Sequence, residues 1–333
     1  CWVAAVYIGL LFGISDATDL RLWMIAFTLV SVFFLFNTFS TGKAGSFQNI
    51  TLVIKIGSLL ILASFGLFFG SSANLTQMAS PVSTGGLFGG LVACAFAYDG
   101  WFVAPSVAHE IKNPKKNLAR ALILSPLIIL SIYLAYFVGI NAVLGPQQIM
   151  QLQDGSVGYI FKSIFGAVGT RLVYVVVIIS ILGTINGLVL GYIRLPYSLA
   201  LRDEFMFSKH VKTVNKQYDV PLYSSLIAYL LSLVLMGFHA LSVFEVNIGF
   251  LDFSYLEIDS IPIVLIYFFY ISLYVYLIKT GKKRGVLVGL IYPSLAIVGS
   301  MFVIYGGFSQ PQSNFYLLIS MSVIALGIVV RPK

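Results

Sequence analysis

Apolar runs of about twenty residues recur along this chain, separated by short polar stretches, and that pattern leaves few folds open. About twenty apolar residues let a helix cross the hydrocarbon of a bilayer, where every backbone N–H and C=O needs a partner within the segment. Ten runs stand out, at roughly 1–15, 22–39, 50–70, 85–107, 121–144, 169–199, 220–240, 258–279, 285–306 and 313–330. Composition agrees, with 59% hydrophobic and 10% charged residues, too little charge to cover a soluble domain. The expected fold class is an all-α membrane protein whose first span is partial. The opening "CWVAAVYIGLLFGIS" has neither Met nor a basic stretch, so it reads as the middle of a span rather than a signal peptide, and a longer N-terminus is expected.

The charges orient these spans. With 40–49 placed in the cytoplasm and the sides alternating, fifteen Lys and Arg fall inside and three (Arg21, Lys162 and Arg171) outside. That is the asymmetry expected of cytoplasmic loops, and it puts the C-terminus in the cytoplasm. The net charge of +8 is then a matter of topology, and the partner it implies is the lipid bilayer, not nucleic acid. Cys1 and Cys94 read as small apolar fillers, with no disulfide framework or metal cluster.

Two charged residues sit where charge is costly. Asp99, in "AFAYDGWFVAP", lies near the middle of 85–107, and an ionisable group at that depth normally faces a polar cavity or a partner. Gly85, Gly86, Gly89, Gly90, Gly100 and Pro105 surround it and disfavour a continuous helix. Two half-helices joined by extended backbone at Ala97 to Gly100 would make a midplane binding site; a kinked packing helix with a neutral or paired acid is the alternative. Lys55, in "FQNITLVIKIGSLL", is taken as the lone cation well within a span. It either faces the bundle and does a cation's work or snorkels to the cytoplasmic interface. "HEIKN", at His109 and Glu110, lacks the second histidine of a zinc protease helix. An intramembrane aspartyl protease would need a second acid, and "GFLD", ending at Asp252, lacks its glycine pattern and lies in an outer loop. No metal, no cofactor and no enzymatic activity are expected.

The stretch "FAYDGW…HEIKNPKKNLARAL" resembles the sixth helix of the amino acid–polyamine–organocation superfamily, in its L-type amino acid transporter branch and that branch's bacterial exchangers. There the helix breaks at Phe-Ala-Tyr-x-Gly-Trp and runs into Glu-x-x-Asn-Pro-x-x-Asn-Leu-Pro-Arg. "FQNITLVIKIG" resembles the fifth helix with its lysine, "ILGTINGLVLGYIRLPYSLALRDEFMF" the eighth and "VPLYSSLIAYLL" the ninth. The resemblance covers the whole chain and makes the ten runs helices three to twelve of a leucine-transporter-type inverted-repeat fold. Residues 1–70 would belong to the first repeat, 85–279 would form the second, and 285–330 would hold two C-terminal helices.

The same resemblance implies a substrate site at Phe96, Ala97, Tyr98, Asp99 and Gly100. Phe96 would close over the substrate, and carbonyls near Phe96, Ala97 and Asp99 would take its α-ammonium. Lys55, with Thr184 and Asn186 as neighbours, would stand where sodium-coupled relatives bind sodium. His109 and Ala119 replace a family Glu and Pro, and Phe102 replaces the Asn of animal large-neutral transporters, which favours small neutral substrates. The expected function is a plasma-membrane amino acid permease that exchanges neutral L-amino acids by alternating access; no auxiliary subunit is expected for a bacterial protein. Alternatives are a proton- or cation-linked symporter or uniporter and, from another class, a transporter-like amino acid sensor.

Overall fold

The computed structural model describes residues 1–77, 84–101, 103–106, 108, 111–152, 155–205, 207–215, 220–248, 251–253, 260–281, 285–308 and 318–325. Phe102, His109 and Glu110 therefore lie outside the described residues, as does most of the run at 313–330. The described chain is helical almost throughout: α1 (Trp2–Leu11), α2 (Leu20–Phe39), α3 (Thr41–Phe69), α4 (Ser72–Thr76), α5 (Thr84–Ala97), α6 (Val103–Ser106) and α7 (Pro114–Leu144) come first. There follow α8 (Pro146–Leu152), α9 (Ser156–Leu201), α10 (Ser208–Val211), α11 (Leu222–Val243), α12 (Ser260–Thr280), a π-helical turn at Leu287–Ile291, and α13 (Tyr292–Phe308). The exception to an all-helical chain is a hairpin of two-residue strands, β1 (Asn247–Ile248) and β2 (Leu251–Asp252).

Among the described residues six helices are long and apolar enough to cross a membrane, and Trp2–Leu11 and Leu265–Thr280 are shorter apolar helices. Three elements depart from the sequence reading. The segment 40–49, expected as a loop, is helix from Thr41 onward, because a span can continue past the hydrocarbon as a polar helix: Ala44 is fully buried there. The stretch "GPQQIMQLQDGSVG", also expected as a loop, holds α8 and the start of α9. α9 itself begins well before the expected 169, with a reversal at Gly166 (φ 65°, ψ −156°), a backbone conformation that suits glycine.

The chain divides into two compact units, residues 1–80 with 100–237 and residues 81–99 with 238–331. In the first, α1, α2, α9 and α11 bury a core of Ala4, Val30, Phe33, Phe34, Ile185, Val189, Ile193, Val220 and Ala228. α3 and α7 cross closely at glycine: a Cβ on Gly139 would stand 2.6 Å from the Ala63 carbonyl oxygen. Beyond the crossing, Asn74 donates from its side-chain amide to the carbonyls of Ala142 (2.9 Å) and Val143 (3.1 Å), which closes the end of α7. In the second unit α5 and α12 pack on α13. Tyr267 and Tyr270 lie ring to ring on α12, with centroids 5.4 Å apart.

Candidate functional site

In the first unit the site begins with how closely α9 lets α3 approach. "GTING" places Gly183 and Gly187 four residues apart, one above the other on a helix, where small residues let two backbones come together. Thr51 of α3, nearly fully buried, fits against Gly183, where a Cβ would collide with its hydroxyl. Gln48 fits against Gly187, where a Cβ would stand 3.0 Å from its Nε2. Gln48, Thr51 and Lys55 share one face of α3, so the same approach carries the lysine to α9.

There the half-buried Lys55 donates from Nζ to Thr184 Oγ1 at 2.6 Å, and the Thr184 hydroxyl donates to the Ser180 carbonyl (3.2 Å). The snorkelling alternative is therefore not the arrangement seen. Two residues on, the buried Asn186 joins three helices. Its Nδ2 donates to the Ala44 carbonyl (3.0 Å) and to Gln48 Oε1 (3.1 Å), and its Oδ1 accepts from Asn37 Nδ2 of α2 (3.0 Å). Lys55 with Thr184 forms one bonded pair between α3 and α9, and Gln48 with Asn186 forms another.

A second cation was missed from sequence. Arg194 lies inside α9, 9% exposed, with Nη1 donating to the Leu190 carbonyl at 3.1 Å. It falls inside the run expected at 169–199, beside Pro196 and close to the charged stretch that begins at Arg202. The Gly183-x-x-x-Gly187 spacing was the available sign of the close α3 contact.

The second group, Phe96 to Gly100, forms a break between α5 and α6. α5 ends at Ala97 and helix resumes at Val103. The connection is a turn, not extended backbone: Tyr98 N–H donates to the Cys94 carbonyl (3.2 Å) and Asp99 N–H to that of Phe96 (3.0 Å). Gly100 follows with φ 99°, a conformation that L side chains rarely adopt, and no neighbouring atom would crowd a Cβ there. Phe96 is 54% exposed and Asp99 is also exposed.

A cavity of about 310 Å³ in the first unit, lined by Tyr7, Tyr136, Asn141, Ser156 and Tyr174 among others, contains none of the residues singled out from sequence. Among the described residues no group of three or more His, Cys, Asp or Glu side chains could hold a metal ion.

Spans of this length and number, with a hydrogen-bonded lysine between two of them and a broken helix elsewhere, define a multi-pass helical membrane protein. The amino acid permease family matches residues 1–330, and the chain belongs to it. The sequence resemblance to the amino acid–polyamine–organocation superfamily and its L-type branch holds.

Similar proteins include a serine/threonine exchanger, SteT, of Bacillus subtilis, 28% identical over 285 residues, or 83% of this chain and 62% of the relative. An aspartate-proton symporter of the same bacterium is 29% identical over 142 residues, 40% of this chain and 26% of the relative. The b(0,+)-type amino acid transporter 1 of Mus musculus is 24% identical over 166 residues, 48% of this chain and 34% of the relative. The chain spans less than two thirds of the length of each of these three.

Proposed function

We propose that this protein is a plasma-membrane amino acid permease that exchanges neutral L-amino acids, small ones favoured, by alternating access. The observation that carries the reading is the hydrogen bond from Lys55 Nζ to Thr184 Oγ1 at 2.6 Å, a fixed cation joining α3 to α9 inside the spans. An ammonium held there satisfies oxygen ligands that a sodium ion would otherwise need, so transport proceeds without sodium. The turn at Phe96 to Gly100 is the proposed substrate site: its backbone carbonyls take the α-ammonium, and Phe96 closes over the side chain. The serine/threonine exchange named for the Bacillus relative supports small neutral substrates and exchange. Residues 1–70 and 85–279 are proposed to belong to two inverted repeats, with 285–330 outside them.

Full-length protein in proteoliposomes loaded with unlabelled serine should take up labelled serine equally well when choline replaces sodium. Lys55→Ala should lower that exchange about tenfold, equal to about 1.4 kcal/mol in the barrier, while Lys43→Ala, at the start of α3, leaves it unchanged. Sodium dependence, or normal exchange by Lys55→Ala, would overturn the coupling role.

The exposed carboxylate of Asp99 at the helix break favours a second reading, a proton-linked symporter, and one relative is named as an aspartate-proton symporter. Accumulation in empty vesicles driven by a pH gradient, with no internal amino acid, would select it over exchange.

A further inference from the structure

Within about two turns, from Leu190 to Tyr197, α9 has side-chain or proline features in its backbone ladder at three points. Arg194 donates from Nη1 to the Leu190 carbonyl at 3.1 Å, so that oxygen is shared with a side chain. Pro196 has no N–H, so it brings no donor to the Tyr192 carbonyl. Ser224 of α11, fully buried, then enters the ladder itself: its hydroxyl donates to the Ile193 carbonyl (2.5 Å) and its Oγ accepts from the Tyr197 N–H (3.0 Å). In a regular helix those two backbone groups are each other's partners. A proline and an inserted side chain are two recognised causes of helix bending, and here they fall on adjacent residues.

What lies on either side differs. Toward the middle of α9, Ile185, Val189 and Ile193 are buried in the core with Val30, Phe33 and Phe34, and Asn186 is bonded to Asn37, Ala44 and Gln48. Beyond Tyr197 the chain folds back on itself locally: Asp203 N–H bonds the Ala200 carbonyl, Glu204 N–H bonds the Leu199 carbonyl, and Lys212 pairs with Asp203 at 2.9 Å. The first half is bonded to α2 and α3, and the second carries bonds within itself that reach α10, with Ala200 and Val211 buried.

We propose that Ile193 to Tyr197, with Ser224 seated in it, is a pivot about which the Tyr197–Lys212 piece swings during the transport cycle. This rests on the transporter reading of the preceding section. The hydroxyl serves as a partner that can follow the carbonyl and the N–H as they separate, so bending does not strand either group in an apolar interior. Ser224 is then a positioning residue, with no contact to substrate.

The reading differs from a plain structural staple in the sign of one measurement. Ser224→Ala removes the hydroxyl, which leaves the Ile193 carbonyl and the Tyr197 N–H with each other as their helical partners. In full-length protein, hydrogen–deuterium exchange over 194–201 should slow about threefold or more. Serine exchange in proteoliposomes should slow by a similar factor with substrate affinity unchanged. Pro196→Ala, which restores an N–H to the ladder, should move both readouts the same way, and Ser224→Thr, which keeps the hydroxyl, should leave both near the parent. Faster or unchanged hydrogen exchange in Ser224→Ala, or failure of that variant to fold, means a staple and overturns the pivot. Slower hydrogen exchange with an undiminished transport rate also overturns it. If the parent transports no amino acid, the permease reading fails, while the hydrogen-exchange result still decides whether α9 bends here.

Discussion

Gly183 contributes through the side chain it lacks. Thr51 occupies the space where a Cβ would stand, and the contact lets Lys55, one turn along α3, reach Thr184. Gly183→Val should force α3 off α9 and cost about 1–3 kcal/mol, the usual range for overpacking a close contact. The expected result is a lower apparent Tm in detergent together with loss of serine exchange. Thr51→Ala in the same molecule should recover part of the Tm, because it removes the atoms that a valine would meet. A Tm for Gly183→Val equal to the parent's, or no recovery from Thr51→Ala, would show that the two helices are not held at that distance. At this scale the sequence was informative where chemistry is sparse. A lysine in an apolar run is costly and therefore conspicuous, whereas Arg194, inside the run expected at 169–199 but beside a proline and near a charged stretch, was not singled out. Its burial and its bond back to Leu190 became evident from the folded helix alone.

Helix breaks were more legible than helix ends. Gly100 and Asp99 inside an apolar run marked the interruption between α5 and α6, because neither residue favours a continuous span. The connection was expected to be extended and is a turn. In the turn the N–H groups of Tyr98 and Asp99 gain partners by taking the carbonyls of Cys94 and Phe96, which an extended strand in lipid could not supply. The starts of α3 and α9 were misplaced for a different reason: hydropathy registers the part of a helix in hydrocarbon and says nothing of polar turns that continue beyond it. The break carries its own prediction. Gly100 has φ 99° with open space around it, so Gly100→Leu should act through backbone strain of about 1–3 kcal/mol rather than through a clash. Gly100→Leu and Phe96→Ala should each abolish serine uptake while the protein still inserts in the membrane. Uptake within about twofold of the parent in both would remove this turn from the substrate site.

For the whole molecule, sidedness follows from the distribution of Lys and Arg, because basic residues near span ends are retained on the cytoplasmic side. α2 begins beside Asp16, Asp19 and Arg21, and α3 begins beside Lys43; α7 begins beside Lys112, Lys115 and Lys116 and ends near Gln147, and α9 ends beside Arg202. In a background with Cys1 and Cys94 replaced by Ala, single cysteines at Lys43, Lys116 and Lys209 should react with a membrane-impermeant maleimide only after the cells are opened. Cysteines at Thr18 and Gln147 should react in intact cells. A position on the wrong side would mean that a span has been missed or invented between it and its neighbour. Reaction of Lys116→Cys from outside, with Lys43→Cys still protected, would place the fault between α3 and α7. That result would remove the helix break, and the substrate site proposed on it, from the membrane plane.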